Sequence, residues 1–243
     1  MANKESIGLL GRSRRENGLS PLVKISNLAK DFLEGDYDRV VFEDLSLDIF
    51  PGEFIALLGR SGSGKSTLLN LISGIDLPAR GEVIVKDEYV NRLSEHQRTL
   101  FRRRNIGFIF QFFNLIPTLT VEENVLLPLE LNKQLDSSSR QHVRELLEQV
   151  DLWERRESYP DRLSGGEQQR VAIVRALVHK PLILLADEPT GNLDVETGQQ
   201  VMELLQQLVL RQGMTLLLVT HSMELAVHAD RVLMLKDGRL VER

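Results

Sequence analysis

Gly59-Arg60-Ser61-Gly62-Ser63-Gly64-Lys65-Ser66 is the most telling stretch of this 243-residue chain. It satisfies the pattern G-x-x-x-x-G-K-[ST]. An apolar run, Phe54-Ile55-Ala56-Leu57-Leu58, leads into it, and Leu68, Leu69, Leu71 and Ile72 follow at helical spacing. Strand, loop and helix in that order suit a phosphate cradle. Backbone N–H groups must close around phosphate oxygens, and side chains in place of the glycines would hold them off. The helix turns its positive N-terminal end, about +0.5 charge, toward the same anion. Lys65 is then placed to reach the terminal phosphates, and the Ser66 hydroxyl to ligate Mg²⁺. A chance match in a Gly/Ser-rich turn is the competing reading. It arises in roughly one chain in a hundred of this length, and the flanking strand and helix make it rarer still. The stretch predicts a nucleoside triphosphate site.

Composition permits one large α/β domain with a sizeable core, since 42% of residues are hydrophobic and 27% charged. The longest apolar runs, Leu182-Ile183-Leu184-Leu185-Ala186 and Leu216-Leu217-Leu218-Val219, are strand-sized and far short of a membrane span. Ile7-Gly8-Leu9-Leu10 is too short for a signal segment. The chain has no cysteine, so no disulfide framework is expected. A net charge of −5 argues against nucleic acid as a partner.

Residues 1–20 lack periodicity and read as a flexible N-terminal arm, its arginines (Arg12, Arg14, Arg15) solvated rather than lipid-bound. From residue 21 onward the pattern is that of a folded domain. Val23-Lys24-Ile25, Val40-Val41-Phe42 and Leu45 to Ile49 predict three short strands, and Pro51-Gly52 a turn. Gly74 is expected to end the helix after the loop. Val83-Ile84-Val85 and Ile106 to Phe110 read as further strands, and the arginines between Arg98 and Arg104 as a solvated helix face. From about 115 to 165 the pattern turns helical, with Val143, Leu146, Leu147 and Val150 on one stripe, as if a helical subdomain were inserted. Strand and helix then alternate again, and Gly213 closes a helix carrying Val201, Leu204, Leu205 and Leu208. Such alternation predicts a parallel sheet covered on both faces.

Four apolar strands end in polar residues suited to triphosphate chemistry, and ligands of open parallel sheets sit beyond such ends. The first runs into the phosphate loop, the second ends at Gln111, the third at Asp187-Glu188 and the fourth at His221. Adjacent carboxylates after a buried strand are costly without a cation. Alternation would aim them differently: Asp187 toward Mg²⁺, directly or through water, and Glu188 toward an attacking water as general base. An exposed acidic turn before Pro189 is the alternative. His221 could contact a γ-phosphate or be structural, and Gln111 could reach Mg²⁺ and sense the γ-phosphate. Leu163-Ser164-Gly165-Gly166-Glu167-Gln168-Gln169 opens a helix with Val171, Val174, Leu177 and Val178. Ser and Gly there are ordinary caps, yet they also offer an anion site. A chain with its own phosphate loop has no evident need of another, so this one would serve a triphosphate held by a second copy.

Taken together, these residues resemble the ATP-binding cassette (ABC) ATPase family over nearly all of 22–243. The loop at 59–67, including Thr67, is similar to its Walker A, Gln111 to its Q-loop, and Leu163–Gln169 to its signature. Leu182–Glu188 is similar to Walker B with the catalytic glutamate, Gly191-Asn192-Leu193-Asp194 to the D-loop, and His221 to the switch histidine. Phe32 falls where the family stacks an aromatic on adenine, with Tyr37 a nearby competitor. Residues 107–117, 123–129 and 186–194 resemble the macrolide-exporter and lipoprotein-release group, whereas amino-acid importers more often carry Ser-Ala in place of Gly191-Asn192. Asp87 and Ser222 depart from the pattern, where a turn glycine and an acid are usual.

The resemblance implies a P-loop NTPase core with an antiparallel β subdomain and an inserted helical signature subdomain. It implies ATP and Mg²⁺ as cofactors, with Ser66, Gln111 and Asp187 toward the metal. Two copies would pair head to tail, each ATP lying between one phosphate loop and the other copy's Ser164, Gly165 and Gly166, with Asp194 reaching across. The family further implies integral membrane permease subunits as partners, with this chain bound to them peripherally at the cytoplasmic face of the membrane. Phe112, Phe113, Leu115 and Ile116, exposed-looking and apolar, could form its docking groove or simply pack in the core. Expected work is export or extraction of a lipid, lipoprotein or hydrophobic compound; the alternative is regulation of a membrane protein in cell-envelope or cell-division signalling.

Overall fold

The computed structural model describes residues 19–35 and 37–242; the side chains of Glu34, Tyr37 and Asp38, and residues 1–18 of the expected arm, lie outside the described residues. The described chain forms two compact units, one from the amino end to Leu100 together with Thr215 onward, the other Phe101–Met214.

In the first unit, β1 (Val23–Glu34) and β2 (Tyr37–Ile49) form a long antiparallel hairpin. Two of the three short strands expected from the pattern are parts of β2. Register shifts between Ile25 and Asp31 break the period-2 alternation that would have shown continuous strands. β4 (Arg80–Val85) pairs with β1, and β5 (Glu88–Tyr89) closes a sheet in the order β2-β1-β4-β5. Lys86 and Asp87 form the β4–β5 turn with φ of 46° and 68°. Asp is among the few non-glycine residues that tolerate the left-handed region, which accounts for Asp87 in a glycine's usual place.

The unit's second sheet segment places β3 (Phe54–Gly59) between β8 (Thr215–Val219) and β9 (Arg231–Lys236), both parallel to it. β10 (Arg239–Glu242) pairs antiparallel with β9. β3 and β8 are almost wholly buried, as their unbroken apolar runs require. Helix α1 (Lys65–Ser73) buries Leu68, Leu69, Leu71 and Ile72 and ends at Gly74, φ 68°. At the foot of β3, Glu53 is fully buried; its carboxylate accepts from the Phe50 amide at 2.8 Å and meets Arg231 Nη1 at 3.2 Å. Arg231 also donates to Glu242 at 2.9 Å and to the Asp48 carbonyl at 2.9 Å. Burial pulls the Arg231 pKa down, but Glu242 and Glu53 more than offset this and raise it.

Helix α2 (Glu95–Asn105) carries the chain into the second unit. Its arginines are not simply a solvated face. Arg98 donates to the Leu93 carbonyl at 2.8 Å and pairs with Glu95, and Arg103 exchanges bonds with Asn132 at 3.2 and 2.8 Å. β6 (Ile106–Ile109) lies parallel to β7 (Ile183–Asp187). Between them run α3 (Val121–Leu131), α4 (Ser137–Gln149) and α5 (Gly165–Leu177), and α6 (Val195–Gln212) follows β7. Buried Asn124 clamps the approach to α3, accepting from the Ile116 amide and donating to the carbonyls of Ile116, Leu119 and Thr120 at 2.9–3.1 Å. Gly213, φ 60°, caps α6 as expected. Among the described residues no helix is long and apolar enough to cross a membrane.

Candidate functional site

In the first unit the phosphate loop joins β3 to α1. Gly64, at φ 101°, is the N-cap, and a Cβ there would lie 2.5 Å from Val41 Cγ1 and 3.0 Å from the Phe42 ring. Only glycine satisfies both the left-handed backbone and that close approach. Lys65 is buried, its ammonium donating to the carbonyls of Gly59 and Arg60 at 2.9 and 3.0 Å. Ser63 Oγ, also buried, has no hydrogen-bond partner among the described residues and lies against Gly59, where an added Cβ would sit 2.7 Å from it. Buried hydroxyls are rarely left so. A loop holding an ammonium and an unsatisfied hydroxyl fits an anion.

A cavity of about 730 Å³ adjoins this loop, lined among others by Arg39, Val41, Arg60, Ser63 and Lys236. Arg39 was not singled out by sequence, yet its guanidinium donates to the Gly62 carbonyl at 2.9 Å. Its Cα pairs with that of Phe32 across the β1–β2 ladder. Phe32 is 38% exposed, and Lys30 Nζ lies 4.6 Å from its ring centroid, occupying one face. The competing Tyr37 side chain is outside the described residues. His221 follows β8; because β8 is a parallel neighbour of β3, it emerges at the same sheet edge as the loop. The Thr220 amide bonds to the Leu57 carbonyl at 3.2 Å. Ser222, the departure from the family pattern, caps the short α7 (Met223–Ala226) by accepting from the Leu225 amide.

In the second unit, parallel β6 and β7 bring Gln111 and the Asp187-Glu188 pair to one edge. Glu188 has φ 45°, a left-handed backbone that non-glycine residues adopt at a cost, of the kind met at functional sites. Gln111 and Asn192 hold each other: the Gln111 amide donates to Asn192 Oδ1 at 3.3 Å, and the Asn192 amide to the Gln111 carbonyl at 3.0 Å. A Cβ on Gly191 would lie 2.8 Å from Gln111 Nε2. Local spacing gives Asn192 no role, because its partner Gln111 is 81 residues away.

Ser164 caps α5 through a reciprocal capping box with Glu167, and its residue is exposed. An added Cβ would lie 2.6 Å from Thr197 Cγ2 at Gly166, a clash, and 3.1 Å from Leu193 Cδ2 at Gly165, a close fit, so Gly166 keeps this helix start bare backbone. Asp194 caps α6, and bonds from the Thr197 amide and hydroxyl hold its carboxyl below the usual carboxylate range. Of the four apolar residues assigned to a groove, only Phe112 is exposed, at 68%; Phe113, Leu115 and Ile116 are half-buried. The Phe113 ring abuts Gly165, 3.6 Å from where its Cβ would be.

The family model described as ABC transporter matches residues 42–191, more than half of the chain. An uncharacterized ABC transporter ATP-binding protein of Mycobacterium tuberculosis is 53% identical over 91% of this chain and 89% of its own length. The lipoprotein-releasing system ATP-binding protein LolD of Pseudomonas syringae pv. tomato is 46% identical over 89% of this chain and 95% of its own. Among solved structures, the ATP-binding cassette MJ0796, a dimer in a post-hydrolysis state bound to ADP and Pi, superposes with a TM-score of 0.82 at 42% identity, covering 91% of this chain and 97% of that one. Matched along nearly its whole length by sequence and by backbone alike, the chain is an ATPase of the ABC transporter family.

Proposed function

We propose that the chain is the nucleotide-binding subunit of an ABC transporter, paired with a second copy around two ATP molecules and driving a membrane partner. One observation carries the pairing. A chain that already holds a complete phosphate loop also keeps a second helix start with bare backbone, exposed at Ser164, close-packed at Gly165 and too tight at Gly166 for a side chain unless Thr197 shifts. The dimeric MJ0796 cassette supports the same reading.

In this reading Gly59–Thr67 wraps the phosphates, with Lys65 neutralising their charge, and Phe32 stacks on the base. Ser164, Gly165 and Gly166 of the second copy close over the terminal phosphate, and Asp194 reaches across the pair. Glu188 accepts the proton of the attacking water, and His221 and Gln111 orient it against the γ-phosphate. Phosphoryl transfer needs little beyond such positioning and charge neutralisation. The hydroxyl of Ser66, the amide oxygen of Gln111 and the carboxylate of Asp187 are hard oxygen donors that suit Mg²⁺, which when bound neutralises charge on the phosphates. ATP favours the closed pair because only that state completes both anion sites, and hydrolysis removes the preference.

The chain sits peripherally at the cytoplasmic face of the membrane, and its partner is an integral membrane permease docked at Phe112 beside Gln111. The cargo is a lipid, lipoprotein or hydrophobic compound, and the name of the lipoprotein-releasing relative LolD favours the lipoprotein. Replacing Glu188 by Gln is expected to lower kcat at least about 100-fold and to trap an ATP-bound dimer by light scattering. Near wild-type turnover in Glu188→Gln, or a specific activity independent of protein concentration with Ser164→Ala harmless, would refute the paired site. Copurification with a cell-wall enzyme instead of a permease would turn the reading toward signalling.

A further inference from the structure

The segment from Gln111 to Asn114 is gripped from two sides within the second unit. On one side Arg175, near the end of α5, donates from Nη1 to the Asn114 carbonyl at 2.7 Å and from Nη2 to the Phe113 carbonyl at 3.0 Å. Asn114 has φ 50°, so the guanidinium fixes the chain where it turns into the left-handed region. The same helix begins at Gly165, against which the Phe113 ring rests. Gln169, one turn further along α5, donates to the Phe110 carbonyl at 3.4 Å. On the other side stands the reciprocal pair of Gln111 and Asn192, two residues before Asp194.

A guanidinium is expensive to take out of water, and burial lowers the pKa of Arg175. Arg175 donates to two backbone carbonyls, both in one loop. A neutral donor could hold an ordinary turn. Two donors in a fixed fork bind two successive carbonyls as a rigid unit. What Arg175 and Asn192 join are the loop carrying exposed Phe112 and the two turns assigned above to the second copy, Ser164–Gly166 and Gly191–Asp194.

We infer that Arg175 and Asn192 are positioning residues that make the Phe112 loop, the Ser164 turn and the Asp194 turn one lever, so that closure of the second copy on ATP is reported at Phe112. The inference rests on the paired-site reading. It gives the loop a nucleotide-dependent state without any contact between Phe112 and nucleotide. Coupling of this kind needs a physical link that both ends bias, and the two bonded contacts supply it.

Hydrogen exchange in the Glu188→Gln protein, with and without ATP, tests this. ATP should slow exchange in a peptide spanning 163–169 and, in the same sample, change exchange of the amides of 112–116. In Glu188→Gln carrying Arg175→Met, slowing at 163–169 should persist while the response at 112–116 falls at least 5-fold. Asn192→Ala, at an exposed position, should weaken that response without lowering Tm, which covers the case in which Arg175→Met misfolds; Arg175→Lys, able to reach one carbonyl, should retain part of it. A full response at 112–116 in Asn192→Ala and Arg175→Met overturns the lever, as does a Glu188→Gln protein protected at 163–169 and silent at 112–116. Absence of protection at 163–169 in Glu188→Gln itself overturns the paired-site reading beneath it.

Discussion

Phe112 and Phe113 are chain neighbours with different surroundings, and the difference separates two kinds of test. Phe112 is 68% exposed, so Phe112→Asp removes an apolar surface without opening the core. It is expected to leave Tm and ATP affinity unchanged while abolishing stimulation of ATPase activity by the copurified membrane protein in liposomes. Undiminished stimulation would count against docking at this residue. Phe113→Asp is a poorer probe than its place in the motif suggests. Its carboxylate would sit beside Gly165, where the second copy's phosphate is to bind, so loss of pairing would be mixed with loss of docking. Glu188 makes a similar point through its backbone. Its φ of 45° holds the side chain off the regular alternation of β7, and sequence spacing alone cannot show a strained dihedral.

At the start of α5 a charged side chain supports the signature turn. Burial would raise the pKa of Glu167, but bonds from the Ser164 amide and hydroxyl, with Arg155 and Arg170 nearby, lower it below its ordinary value of 4.5. A depressed carboxyl contributes stability that is full above the unfolded pKa and is lost as pH falls through the folded one. Glu167→Gln keeps a cap-accepting oxygen without the charge. The wild type should therefore melt above Glu167→Gln at neutral pH, and the gap in Tm should close as pH drops below about 4.5; a gap constant across that range would show that the charge contributes nothing.

This helix also marks how far the sequence could be read. Ser164, the glycines and the apolar stripe of Val171, Val174, Leu177 and Val178 follow from local spacing, and all four stripe residues are buried. Gly74 and Gly213 end their helices where the pattern placed them, because a left-handed cap is a local demand. Arg175 carries no such signal: its partners lie 61 and 62 residues away. Arg39 and Gly62 are separated by 23 residues, and Gln111 and Asn192 by 81. Local periodicity reports which face is buried, not which distant carbonyl a side chain meets. The hairpin of β1 and β2 reads as separate short strands for a related reason, since its bulges erase the alternation by which strands are recognised.

At the scale of the molecule, one deep polar commitment is the buried ion pair of Glu53 and Arg231, 0% and 6% exposed. Removing one partner of such a pair strands the other, at a cost of about 3 kcal/mol. Glu53→Gln also turns an amide donor toward either Arg231 or the Phe50 N–H. Tm is expected to fall by roughly 6–12 °C by calorimetry, at about 2–4 °C per kcal/mol for a chain of this size. A change under about 2 °C would mean that the pair is dispensable. Neither the charge nor the separation of 178 residues stands out in composition.

The same arginine leans on Glu242 at the far end of β10. Losing the Glu242 carboxylate would leave Arg231 with half its counter-charge beneath β3. Damage at β10 would then surface as a weakened footing for the strand that leads into the phosphate loop, and an ATPase defect in such a protein would not by itself implicate the catalytic residues.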